Sequence, residues 1–517
     1  MKNLHHIFLC TLYIVPVFLF FACTQTPETP VEPPVVPPED TTVVPEPEKS
    51  PSTRQEQYRP QIHYTTWCNW SNDPNGLVYK DGVWHMYYQY NPHGIECDFG
   101  GMSWGHAISR DLMHWEEHNT VLYPDERGAI FSGCSVVDHD NVAGFGHGAI
   151  LAYYTAAGAK QLICLAISTD NGESFWKFDG NPIVPSYELN NFRDPKITWD
   201  PIRTRWTMTV ARGWDLGIEI WHSYNLMNWE YDGIFRVDIH RCNLAQWECC
   251  DLLYFDDVNK WVMIVSINPN GYITGSSTMY FVGNFDGVTF TPDADDYPLW
   301  LDYGADNYAG VTWANAPGGR KVQLAWMNNW DYAPQCPPTQ WKSAYTIPRE
   351  LSLKQKGNHY VLCSQPVREI NKLSMGWQTF TETPYTIPGD YVDAWEMKAS
   401  LSTKTDATIT LSNEAGEQYS ISYDADQRRL YCNRSGKTGE YQFSALFAVP
   451  SMSGPIEGNS DRMDIDIVVD KSSVEVFAND GACCFTNTVY PKSIYRTITI
   501  EGDCTNAQVQ PLETIWK

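Results

Sequence analysis

The sequence is poor in positive charge: 36 Lys and Arg stand against 62 Asp and Glu, a formal net charge of −26 over 517 residues. Nucleic acids and anionic membrane surfaces are recognised through Lys/Arg patches, so neither is an expected partner of the folded part, whereas a neutral ligand is compatible with this charge. The N-terminal apolar run, Ile7 to Ala22, falls short of the roughly 20 residues that a membrane-spanning helix needs. C-x-x-C is absent, and neither Cys-Cys pair, at 249–250 and 483–484, has His at zinc spacing, so no structural metal and no cofactor are expected. Disulfide frameworks belong to small secreted domains with even cysteine counts. Here 15 cysteines less Cys10 and Cys23 leave 13, irregularly spaced, and they read as mostly buried thiols. Helical periodicity is scarce between residues 60 and 360.

Aromatic residues are plentiful, 14% of the chain with 21 Trp and 30 Tyr, and charged residues make up only 19%. That composition describes a folded protein, and its length implies two domains beyond the N-terminal segment. Trp and Tyr suit the faces of sugars as well as a core.

Lys2 followed by the Ile7–Ala22 run has the length and flank of a signal peptide. It ends "LFFAC", which resembles a bacterial lipoprotein box with Cys23 as the lipidated residue, although Phe20 stands where Leu is usual. The alternative is an ordinary secretory peptide ending near Ala22. The next residues, "TPETPVEPPVVPPEDTTVVPEPEKSP", cannot bury a core and tend toward extended polyproline II, a spacer lifting the folded part off a membrane. The expected organisation is a signal peptide over 1–22, a lipid-anchored Pro-rich linker over 23–55, one all-β domain over 56–365 and a second over 366–517. Anchor and spacer together imply a secreted, membrane-anchored lipoprotein of the bacterial envelope, at the outer membrane or cell surface.

Short strand-like runs dominate the middle of the chain: "VWHMYYQY", "AILAYYTAA", "WTMTVAR", "KWVMIVSI" and "KVQLAWMN". Each follows a polar-aromatic motif: "WSNDPNG", "IFSGCSVV", "NFRDPKI", "QWECCDLL" and "GADNYAGV". With Asp73, Ser132, Asp194, Glu248 and Asp306 as markers, the separations are 59, 62, 54 and 58 residues. Five units of this length with three or four strands each predict a five-bladed β-propeller, closed by the N-terminal strand or by "YTIPREL". From about Met375 alternating segments such as "ATITLSN", "YSISYD" and "DIDIVVD" predict a β-sandwich.

"NDPNG" alone is a turn signal. In a propeller, however, equivalent positions of different blades converge at one end of the central channel. Asp73, Asp194 and Glu248 would then face one cavity, where like charges push their pKa values apart. Folding gains nothing from such crowding, so it marks a site. A pair of carboxyl groups, one attacking the anomeric carbon and one protonating the leaving oxygen, is what glycoside hydrolysis requires.

"WSNDPNG", "FSGCSVV", "FRDPK", "WECCD" and "TIPREL" together resemble the signatures of glycoside hydrolase family 32, the β-fructofuranosidases (invertases, inulinases and levanases), over residues 60 to 510. The resemblance implies a propeller followed by a sandwich. It implies Asp73 as nucleophile, Glu248 as general acid and base, and Asp194 as the group that holds fructose hydroxyls and stabilises the transition state. Asn72, Gln89, Phe131 and Ser132 match positions lining the family's fructose pocket. Arg193, beside Asp194, is expected to pair with it and keep it ionised. Trp104 of "MSWGHA" is a candidate for the same subsite. Phe99 replaces the family's usual first aromatic, and the loop "HGIECD" is longer than usual; both touch the pocket rim and bear on substrate length and linkage. The expected substrate is a fructan, levan or inulin, with end-wise release ahead of internal cleavage. A fructosyltransferase and a non-catalytic surface glycan-binding propeller are the alternatives.

Overall fold

The computed structural model describes residues 53–185, 191–239, 244–293, 298–389, 392–434, 443–448 and 451–516. The signal peptide, Cys23 and nearly all of the spacer lie outside the described residues.

The repeated runs fold as antiparallel strands gathered into five sheets, in each of which the main strands follow chain order. The first blade holds Asn69–Lys80, Val83–Asn91, Ser103–Ser109 and Trp115–Leu122. Its first hairpin turns on Asp81 and Gly82, at φ 49° and 85°, the two-residue turn that Asp-Gly favours because both positions need positive φ. Blades two to five begin with Ala129–Asp138, Arg193–Asp200, Gln246–Phe255 and Tyr308–Thr312. These five inner strands touch in sequence, and the fifth touches the first, so the ring is closed. The middle strands are buried on both faces, as in Ala149–Ala157, which is why they read as continuous apolar runs rather than alternating ones.

Closure runs through the start of "YTIPREL", one of the two expected routes, together with the residues just before it. Trp341–Lys342 pairs in parallel with Asn69–Trp70 of the first blade, while Ala344–Tyr345 pairs with Trp326–Met327 of the fifth. The bridge is the segment leading into "TIPREL", and the chain near Tyr64 only buttresses it through a Tyr345 N–H bond to the Tyr64 carbonyl (3.1 Å).

The C-terminal part forms two six-stranded sheets. In Ala407–Ser412 and Gln418–Asp424 burial alternates residue by residue, the period-2 pattern of a sheet with one face in a core. Ser473–Ala478 of the other sheet is buried throughout, because Val468, Phe477 and Cys484 also join a cluster with the propeller's Val322 and Ile347. Ion pairs lie beneath this junction. Arg349 donates to Asp302 (2.9 Å), Glu475 (2.7 Å) and Thr486 (2.5 Å), and His63 sits between Asp470 (2.8 Å) and Glu475 (3.3 Å). The twelve described cysteines carry no disulfide; ten are buried and Cys97 and Cys504 are partly so.

Candidate active site

Each inner strand is irregular where the sequence motif falls. Pairing slips between Ser71 and Pro74, between Phe131 and Gly133, between Glu248 and Asp251, and between Tyr308 and Val311. In the third blade it slips opposite Asp194, between Thr209 and Ala211 of the neighbouring strand. A bulge inserts an unpaired residue and re-aims its side chain. Five bulges at one end of the ring turn side chains into a shared space. Asp194 and Cys249 take φ values of 60° and 43° to do so, a left-handed backbone that costs non-glycine residues about 1–3 kcal/mol and persists where surroundings enforce it.

The result is a cavity of about 420 Å³ lined by Asn72, Asp73, Gln89, Phe99, Phe131, Ser132, Arg193, Asp194 and Glu248, together with Gln161, Asn191, Gln246, Asn268, Tyr308 and Trp330. Exposure falls from 53% at Phe99 to 5% at Asp194, so the aromatic side chain stands at the mouth and the carboxylate at the floor. The Phe99 ring packs against Phe131 (6.0 Å) and Trp330 (5.7 Å), and these three form the rim.

Asp73 is held by three donors. Ser132 Oγ reaches Oδ2 at 2.7 Å, Asn72 Nδ2 reaches Oδ1 at 3.1 Å, and the Cys249 thiol lies 3.5 Å from Oδ2. Trp70 Nε1 donates to Asn72 Oδ1 at 2.8 Å, which aims the amide N–H₂ at Asp73. Burial raises the Asp73 pKa and the Ser132 hydrogen bond opposes it, while the charge of Glu248 adds to the rise.

Glu248 is fixed from two sides. Arg193 donates to Oε1 from Nη2 (2.7 Å) and Nε (3.2 Å), Gln246 Nε2 adds a third bond at 3.0 Å, and the Tyr308 hydroxyl donates to Oε2. Burial, then the Glu248 charge, drive the Tyr308 hydroxyl well above its ordinary range, so it stays protonated as a donor. Asp194 Oδ2 accepts the Cys249 backbone N–H at 3.0 Å, and its own N–H donates to Thr155 Oγ1 at 3.0 Å.

One expectation is met in part and one is corrected. Arg193 approaches Asp194 only to 3.8 Å and spends its short hydrogen bonds on Glu248. Burial pushes the Asp194 carboxyl up to about 7, Arg193 pulls it back in part, and Glu248 and Asp73 add to the rise, so Arg193 does not simply hold Asp194 ionised. Trp104 does not line the cavity: it is wholly buried, and its indole N–H donates to the Phe131 carbonyl at 3.0 Å, bracing the wall from behind. The fifth marker also moves. Asp306 is buried against Arg434, Thr488 and Tyr332 at the domain junction, and Tyr308, two residues on, faces the cavity instead. Gln246 was legible, since it lies two residues before Glu248 and shares its face of the strand. Gln161, Asn191, Asn268 and Trp330 come from loops and strand ends that carry no signal of their own.

The pattern described as glycosyl hydrolases family 32 N-terminal domain matches residues 63–366, and that of the family 32 C terminal matches residues 369–516. The chain belongs to glycoside hydrolase family 32. This family 32 glycosidase is similar to the levanase of Bacillus subtilis (strain 168), with 37% identity over 489 residues covering 89% of this chain and 71% of the relative. It is 33% identical over 517 residues to the extracellular exo-inulinase of Aspergillus awamori, covering 89% of this chain and 95% of that one. The crystal structure of the exo-inulinase from Aspergillus awamori superposes with a TM-score of 0.82 at 31% identity, over 90% of this chain and 100% of the other. That of fructofuranosidase from Schwanniomyces occidentalis complexed with fructose gives 0.78 at 30% identity, over 89% and 99%. The family 32 structures carry the same propeller-then-sandwich order as the seven sheets of this glycosidase.

Proposed function

We propose that this glycosidase is a retaining β-fructofuranosidase acting end-wise on fructans, levan or inulin. The observation that carries the reading is the convergence of Asp73, Asp194 and Glu248 on one cavity, each held by its own donors. Asp73 attacks the anomeric carbon, and Glu248 gives its proton to the departing glycosidic oxygen. The covalent fructosyl–Asp73 ester is then opened by a water that Glu248 deprotonates, so the configuration is retained. That route needs the two carboxyl groups about 5–5.5 Å apart. Asp194, at the floor, accepts hydrogen bonds from sugar hydroxyls that strengthen as positive charge grows on the ring.

Relatives named levanase and exo-inulinase support a polymeric fructan, and the gradient of exposure from Phe99 down to Asp194 supports a pocket that takes a chain end. Timed digests of levan, inulin and sucrose, resolved by thin-layer chromatography, test it. Fructose alone from the first minutes is expected on at least one polymer. An early ladder of oligosaccharides replaces end-wise by internal cleavage, longer products built from concentrated sucrose reassign the enzyme as a transferase, and activity confined to sucrose discards the fructan reading.

The signal, the box and the spacer support export and anchoring through lipidated Cys23 on a bacterial envelope, where a substrate too large to enter freely is met. Cys23→Ala is expected to move the protein from the membrane to the soluble fraction; a variant still sedimenting with membranes removes the anchor.

A further inference from the structure

Away from the cavity, on the outer strands of the first blade, cross-strand register sets His106 directly opposite His118. The turn before Trp176–Lys177 in the second blade brings Glu173 beside them, with its Oε2 2.8 Å from His118 Nδ1. His106 Nε2 is engaged by His85 Nδ1 at 3.2 Å, and the ring is clamped by Tyr87 at 4.5 Å between centroids. Its other nitrogen, Nδ1, is buried without a hydrogen-bond partner, as is His118 Nε2, whose nearest carboxylate, Glu116, is 3.9 Å away. An orphaned buried ring nitrogen is costly and calls for a reason. One ligand atom from each of His106, His118 and Glu173 lies within 4.8 Å of the others.

We propose that His106, His118 and Glu173 form a binding site for a divalent transition metal, with Zn²⁺ the best match, that staples the first blade to the second. Two imidazoles and a carboxylate are the donors that Zn²⁺ takes, with water or Glu116 in the fourth position. His85 orients His106 through the nitrogen that would not bind metal, the outer-shell arrangement that fixes a ligating ring. Tetrahedral bonds of about 2.0–2.1 Å need ligand atoms about 3.3 Å apart. His106 is immobile, so Glu173, with its side chain 52% exposed, and His118, 20% exposed, supply the closing movement. The sequence offered no hint, because 12 and 55 residues separate the ligands and no zinc spacing is present. Cysteine spacing, on which the expected absence of a structural metal rested, is blind to a site assembled across blades.

The test uses the full chain, stripped with EDTA, dialysed, and titrated with zinc chloride by calorimetry and in thermal unfolding. One Zn²⁺ per chain and a midpoint raised by several degrees are expected. Glu173→Gln, a substitution at an exposed side chain, should weaken binding by about 100-fold or more and abolish the shift, as should His118→Ala. Hydrolytic activity of metal-free Glu173→Gln should equal that of metal-free wild type, since neither position touches the cavity. No binding by the wild type overturns the site. Binding and a thermal shift undiminished in Glu173→Gln place the ion elsewhere, on the thiols or the catalytic carboxylates, and overturn it equally.

Discussion

Glu248→Gln is expected to lower kcat by about 10²–10⁴-fold, the contribution of a positioned general acid and base, and Asp73→Asn by at least as much, since without the nucleophile no covalent intermediate forms. Both exchanges keep side-chain size. The amide oxygen introduced at position 248 would still accept from Arg193, with the amide N–H₂ donating to the Tyr308 hydroxyl oxygen, and the amide oxygen introduced at position 73 would still accept from Ser132, so the fold should survive. The expected difference between them is informative. Glu248→Gln should lose least on a substrate whose leaving group needs no proton, whereas Asp73→Asn should lose equally on all substrates. Initial rates on a fructan and on an aryl β-fructofuranoside, with circular dichroism as the check on folding, provide the measurement. A tenth of normal activity in either variant on the fructan would remove that residue from its role.

Arg349→Met is expected to destabilise the protein by about 3–5 kcal/mol, the cost of stripping the partner from buried charges. The Asp302 and Glu475 side chains are 1% and 0% exposed and share this guanidinium. Asp302 would keep the Thr486 hydroxyl and backbone N–H, and Glu475 would keep His63, yet two carboxylates would face one cation fewer. Urea unfolding at neutral pH measures the loss; a change below about 1 kcal/mol would show that the junction tolerates the charges unpaired. The same network makes a prediction about pH. Burial opposes a charge on His63, but hydrogen bonds and charges from Asp470 and Glu475 outweigh it and raise the pKa to about 9. A folded-state pKa above the unfolded value of about 6.5 stabilises the fold fully below that value. The contribution, on the order of 3 kcal/mol, is lost as pH rises from about 6.5 through 9. His63→Gln should flatten stability against pH across that window; an unchanged slope would mean that His63 is neutral in the folded state.

The sequence by itself determined the strands, the five-fold repeat and the place of the carboxylates, because these rest on local chemistry. β-branched and aromatic runs between turn residues make strands wherever they lie, Asp81-Gly82 turns a hairpin by its own φ preferences, and repetition near 58 residues needs a repeating unit. Asp73, Asp194 and Glu248 were legible for the same reason: equivalent positions in a ring must meet. Tertiary structure alone decided what depends on partners distant in sequence. Arg193 makes its short hydrogen bonds to Glu248 and stands 3.8 Å from its neighbour Asp194, because the fourth blade supplies the nearer carboxylate. A Trp within a strand can line a pocket or brace its wall, and only burial places Trp104 behind Phe131. Tyr308 replaced Asp306 because a slip of two residues keeps strand parity, and only the Arg434 contact from the sandwich shows which of the two turns outward. The ring's closure through Trp341–Tyr345 and the meeting of His106, His118 and Glu173 likewise follow from register between strands, which no periodicity within a segment encodes.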